Sequence, residues 1–138
     1  MSKNEIMRAS LWIGSIFNFV ASFILAFPES ALGRLVELPP AVPSLYCALS
    51  SFLVGLFGGA YAWLACQEQI DRPLVALSTI GKASVFCIAL VLWLLGSASV
   101  RIVFLASGEL ILAVLWAWWI FESGQSGTRA NMGRHVTR

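Results

Sequence analysis

Charge is what this sequence has least of. Only 12% of its 138 residues are Asp, Glu, Lys or Arg, while 59% are hydrophobic; an ordinary soluble domain carries roughly 25% and 45 to 50%. That balance excludes a water-soluble globule. The net charge is +2, too small and too scattered for the basic face that nucleic-acid binding requires, so no nucleic-acid partner is expected. Histidine is almost missing as well: His135 stands alone, outside every long apolar run. With no histidine base in an apolar run, a Ser-His or Cys-His nucleophile is excluded there, and with no C-x-x-C or His/Cys cluster neither a metal site nor a haem or iron–sulfur cofactor is expected. The cysteines, Cys47, Cys66 and Cys87, suggest no disulfide framework. Cys47 and Cys66 would lie about 28 Å apart along one helix, and all three read as buried packing thiols.

What the chain has instead is four apolar runs, at 9–27, 44–66, 74–96 and 102–121, each about the 20 residues that cross a bilayer core. None alternates with the period of two that a membrane β-barrel strand needs. The expected fold is all-α: one integral-membrane four-helix bundle over 9–121, with residues 1–8 preceding it and a polar, Gly- and Ser-rich tail at 122–138 read as disordered. Short connections at 67–73 and 97–101 make an up-down-up-down order the simplest topology. Pro73 suits a first helical turn, Gly96 a helix end, and Ser97 or Ser99 an N-cap. The first run is too long, and lacks the small-x-small site, for a cleaved signal peptide, so it is expected to stay as a span. The longest connection, 28–43, opens Pro-Glu-Ser and closes on Pro39, Pro40 and Pro43. Between them Ser30, Arg34 and Glu37 share a face opposite Leu32, Leu35 and Val36, the pattern of a short helix on the membrane surface, serving as a tie or as a lid.

Lys3, Arg8, Arg72, Arg129, Arg134 and Arg138 fall on one side of such a bundle and only Arg34 and Arg101 on the other. The positive-inside bias then places both termini in the cytoplasm of a multi-pass cytoplasmic-membrane protein. Trp12, Trp63, Trp116, Trp118 and Trp119 are expected towards the inner interface and Trp93 towards the outer one.

Two ionisable residues interrupt the spans, Lys82 and Glu109. Such a group costs about 2.5 to 3.5 kcal/mol at mid-helix, so each needs a partner or a purpose. Counted at 1.5 Å per residue, Lys82 lies about 12 Å and Glu109 about 18 Å from the same end of adjacent helices, within a lysine's reach of an ion pair. Ser15, Asn18 and Ser22 share one face of the first span and bring Asn18 to that level. Ala48, Ser51, Gly55, Gly58 and Ala62 form a small-residue stripe on the second span. Its simplest reading is close helix packing; a sharper one has Gly55 leave room beside the polar trio for a ligand, with Ser78 and Tyr61 as further polar lining.

Three functions are compatible with these residues. The first is a binding module or small enzyme for an apolar or amphiphilic molecule dissolved in the bilayer, such as an isoprenoid, quinone, sterol-like or acyl compound. In it Glu109 acts as general acid or base, Lys82 holds an oxygen, and Asn18, Gly55, Ser78 and Tyr61 form the binding site. The second is a structural or accessory subunit in which the Lys-Glu pair is purely structural and the stripe and the Trp-rich fourth span meet a membrane-protein partner or a second copy. The third is proton-coupled transport by an oligomer.

Overall fold

The computed structural model describes residues 2–38 and 42–135, with side chains through Glu122. Its described residues are helical without strands: α1 (Lys3–Ala26), α2 (Ala31–Leu35), α3 (Ser44–Cys66), α4 (Arg72–Leu94) and α5 (Val100–His135). Lys3–Ala26, Ser44–Cys66, Arg72–Leu94 and Val100–Glu122 are long and apolar enough to cross a membrane, which fits a multi-pass membrane protein. The backbone of α5 stays helical to His135, past the end of the apolar run. The side chains of 123–138, most of the region read as a disordered tail, lie outside the described residues.

Helix boundaries follow from local chemistry. α1 starts six residues before its apolar run because Ser2 and Glu5 form a capping box, each side chain bonding the other's backbone N–H. Asp71 caps α4 through the Leu74 amide, with Pro73 in the first turn. Gly96, at φ +71°, ends α4 in a Schellman turn: its amide bonds the Trp93 carbonyl and the Ser97 amide bonds that of Leu92. α2 begins at Ser30, whose hydroxyl accepts from the Gly33 amide at 3.1 Å. It ends in the same kind of turn, with the Glu37 amide on Arg34 and that of Leu38 on Gly33. Here the left-handed position, φ +58°, is held by Glu37, where glycine is usual.

Chain neighbours are not all spatial neighbours. α1 packs along α3, α4 along α5, and α1 along α5, whereas no close backbone approach joins α3 to α4. The small-residue stripe explains the first pairing. Ser22 donates to the Ser51 carbonyl at 2.8 Å, and a Cβ on Gly58 would sit 3.3 Å from both Asn18 Cβ and the Ser15 carbonyl oxygen. The close-packing reading of the stripe therefore holds, and the face is used within the chain.

The tightest packing lies at the end that gathers the start of α1, the α3–α4 connection and Ile120 of α5. Met7, Leu11, Leu64, Val75 and Trp116 are sealed there. Polar ties close the same end. Arg8 donates to the Ala65 carbonyl, orphaned in the last turn of α3, and to that of Glu68 in the α3–α4 connection, and Arg72 donates to that of Ile120. At the opposite end Arg101 bonds the Leu35 carbonyl and pairs with Glu37, which also receives the Ser99 hydroxyl, so the α2 segment is strapped to the start of α5.

Outward faces are apolar: Ile16 is 61% exposed, Ile111 68% and Phe104 73%. Polar residues meanwhile sit inside, the inverse of a soluble protein and the arrangement a lipid surround favours. Two expectations change on this view. Cys66 and Cys87 face outward, and Cys47, near the end of the α1–α3 contact, is only half-buried. Trp116 and Trp119 are core residues, while Trp12, Trp63, Trp93 and Trp118 keep the exposure of interfacial rings.

Candidate functional site

The polar groups of three helices converge just above that core. Lys82 reaches inward from α4, 3% exposed, and its ammonium pairs with Glu109 Oε2 of α5. It also donates to Asn18 Oδ1 of α1 at 3.3 Å, and Asn18 Nδ2 donates to the Val54 carbonyl of α3 at 3.2 Å. The expected Lys82–Glu109 pair and the approach of Asn18 are thus both present. Two aromatic rings complete the lysine's surroundings, Tyr61 with its centroid 4.8 Å from Nζ and Trp116 at 5.2 Å. These rings meet edge to face at 5.0 Å, and Trp116 is anchored in turn by donating Nε1–H to Ser10 Oγ at 2.9 Å. A cation over such faces gains about 0.5 to 2 kcal/mol, which helps a charge that has left water.

Sequence reading missed the part played by Trp116. The signal was there: Glu109, Leu112, Ala113 and Trp116 follow the i, i+3, i+4, i+7 spacing of one helix face, so a tryptophan on the carboxylate's face had to point inward with it. Its position near the end of an apolar run favoured the interfacial reading instead.

A cavity of about 520 Å³ opens on the other side of this polar layer, walled by α1, α3, α4 and α5. That volume lies within the roughly 300 to 1,000 Å³ of small-molecule sites. Its floor carries Asn18, Lys82, Glu109, Ser78 and Tyr61, and its remaining walls are almost wholly apolar. Val36 and Leu38, which follow α2, line it at the strapped end. Its side is flanked by Leu53 and Phe57 of α3 and Leu77 and Ile80 of α4, all exposed, on the two helices that lack a close backbone approach. The opening therefore faces outward between α3 and α4, where lipid chains would lie.

Of the expected site residues, Asn18, Tyr61, Ser78, Lys82 and Glu109 line this one cavity, and Gly55 does not. A Cβ on Gly55 would meet Ser22 Oγ at 3.0 Å. That glycine serves the α1–α3 contact, and the room comes from the separation of α3 and α4. Gly81 borders the opening, with nothing within 4 Å of where a Cβ would be. No cluster of metal-ligating side chains occurs among the described residues.

The carboxylate of Glu109 has a further property. Oε2 faces Lys82, while Oε1 takes no hydrogen bond among the described residues. Gln67 Oε1 alone is both sealed off and without a partner there. Glu109 Oε1 therefore keeps accessible surface, and the space Glu109 borders is the cavity. Comparisons with protein-family models, curated proteins and solved structures find no match for this chain.

Proposed function

We propose that this protein binds, or acts by acid–base chemistry on, a small membrane-soluble molecule that enters the cavity from the bilayer. The observation that carries this reading is the meeting of a lipid-facing apolar cavity with a buried ion pair. An ion pair alone can be structural, and an apolar recess alone can be a packing fault. An apolar cavity with a few convergent polar groups is the usual form of a ligand site. Intramembrane charges are by default candidates for function. In an enzymatic version Glu109 exchanges a proton with the bound molecule, Lys82 supports negative charge developing on its oxygen, and Asn18 orients it.

The same proposal places the chain in the cytoplasmic membrane as an up-down-up-down bundle. Both termini and the α3–α4 connection lie in the cytoplasm and α2 on the outer surface, following the distribution of Lys and Arg. The sealed core of Leu11, Leu64, Val75 and Trp116 beneath the polar layer favours binding over transport, because it leaves a single chain no path through its centre. The internal use of the small-residue stripe likewise counts against that face as a partner interface.

The test is mass spectrometry of small molecules that co-purify with the protein in mild detergent, wild type against a Lys82→Met/Glu109→Gln double variant and a Gly81→Leu variant. A compound retained by the wild type and lost from both folded variants is the expected result. If nothing specific is retained by any of them, while the double variant matches the wild type in stability, the pair is structural and the proposal fails.

A further inference from the structure

Resting on that reading of the cavity, we infer that its ligand is a neutral molecule carrying one hydroxyl or comparable hydrogen-bond donor on an apolar body, an alcohol or phenol rather than a carboxylate, an amine or a phospholipid. The inference comes from which polar atoms of the floor remain unspent. Lys82 already directs hydrogen bonds at Glu109 Oε2 and Asn18 Oδ1, and its ammonium is flanked by the rings of Tyr61 and Trp116. Asn18 has donated to the Val54 carbonyl. The hydroxyls of Tyr61 and Ser78 engage each other, and the strong acceptor left over is Glu109 Oε1, a carboxylate oxygen bordering the cavity with no partner among the described residues. An acceptor selects a donor, and a hydrogen bond to a charged acceptor is among the stronger kinds.

Charge narrows the class further. Lys82 and Glu109 cancel, so the floor as a whole is neutral. A ligand carboxylate would set a second anion against Glu109, and a ligand ammonium a second cation against Lys82, each leaving an uncompensated charge in a low-dielectric site. A hydroxyl adds a donor and no charge. Shape agrees. The polar floor lies at one end, and the walls from Val85 and Ala106 to Leu38 are apolar, so a ligand sets its polar end on the floor and lays its apolar body along those walls. A phospholipid is built the other way, its charged head held at the membrane surface.

Three probes of equal chain length separate the possibilities: 1-tetradecanol, tetradecanoate and tetradecylamine, equilibrated at pH 8 with the detergent-solubilised full-length protein. Bound probe is quantified by mass spectrometry after gel filtration. The alcohol is expected to bind at one per chain and about tenfold or more tighter than either charged probe. Gly81→Leu, which fills the opening without touching the floor, should abolish its retention. Lys82→Met/Glu109→Gln, which keeps the floor neutral but removes the carboxylate, should weaken alcohol binding and shrink the preference. Equal or tighter binding of the carboxylate or amine overturns the hydroxyl assignment while leaving a membrane-soluble ligand in place. Retention of the alcohol unchanged by Gly81→Leu overturns its seating in this cavity. Binding of none of the three by folded wild type overturns the hydroxyl assignment, and a wild type that also retains no compound from membranes overturns the ligand site itself.

Discussion

Lys82 is held by one carboxylate, one amide oxygen and two ring faces, so its removal and the removal of its partner are not equivalent to removing both. Lys82→Met leaves Glu109 an unpaired anion at 9% exposure, and Glu109→Gln leaves an unmatched ammonium at 3%. Each single change should cost about 3 to 5 kcal/mol, and the double Lys82→Met/Glu109→Gln should cost much less than their sum. Thermal or denaturant unfolding in one detergent across the four proteins gives the coupling directly. Additive losses would mean that the two charges do not depend on each other. This pair was legible from the sequence because intramembrane charge is rare and two such residues on helices joined by a short turn have few other partners. Trp116 was harder to read, since a tryptophan suits both a core and an interface and only its spacing from Glu109 decides between them.

Among the elements, α3 offers a contrast between adjacent glycines. Gly58 faces α1, where a side chain would press on Asn18 and the Ser15 backbone, while Gly59 faces open space. Gly58→Val should therefore destabilise by about 1 to 3 kcal/mol through overpacking, and Gly59→Ala should be neutral or stabilising by up to about 1 kcal/mol through helix propensity. Unfolding of the two variants side by side checks both signs; equal effects would dismiss the α1–α3 contact. The α2 segment makes a second contrast. Glu37 occupies a left-handed conformation that costs a non-glycine residue about 1 to 2 kcal/mol, yet its carboxylate ties the segment to Arg101 and Ser99. Glu37→Gly should leave overall stability nearly unchanged, since the relieved strain offsets an exposed ion pair worth about 0 to 1 kcal/mol. It should nonetheless raise hydrogen exchange at Val36 and Leu38, which line the cavity. Unaltered exchange there would show that the strap does not hold the segment.

At the scale of the whole molecule, span number and the all-α class followed from run length and the absence of alternation. The cavity did not, because a void depends on which helices pair. Short turns suggested that α3 and α4 lie side by side, whereas the stripe of Ser51, Gly55 and Gly58 draws α3 onto α1 and leaves the gap. Orientation is the remaining question at this scale. Lys3, Arg8 and Arg72 gather at the sealed end, and Arg34 and Arg101 at the α2 end, while Arg129, Arg134 and Arg138 follow the fourth apolar run in sequence. The proposed orientation, read from the positive-inside bias, has the sealed end in the cytoplasm. In a background with Cys47, Cys66 and Cys87 replaced by alanine, single cysteines at Ser2 and Gln69 mark one end, and at Glu29 and Ser97 the other. In sealed membrane vesicles with the cytoplasmic face inside, an impermeant maleimide should label Glu29→Cys and Ser97→Cys at once, and Ser2→Cys and Gln69→Cys only after detergent is added. The reverse pattern would invert the protein. Labelling of Ser2→Cys and Gln69→Cys from opposite faces would refute four crossings, because both sites border an even number of spans and must share a side.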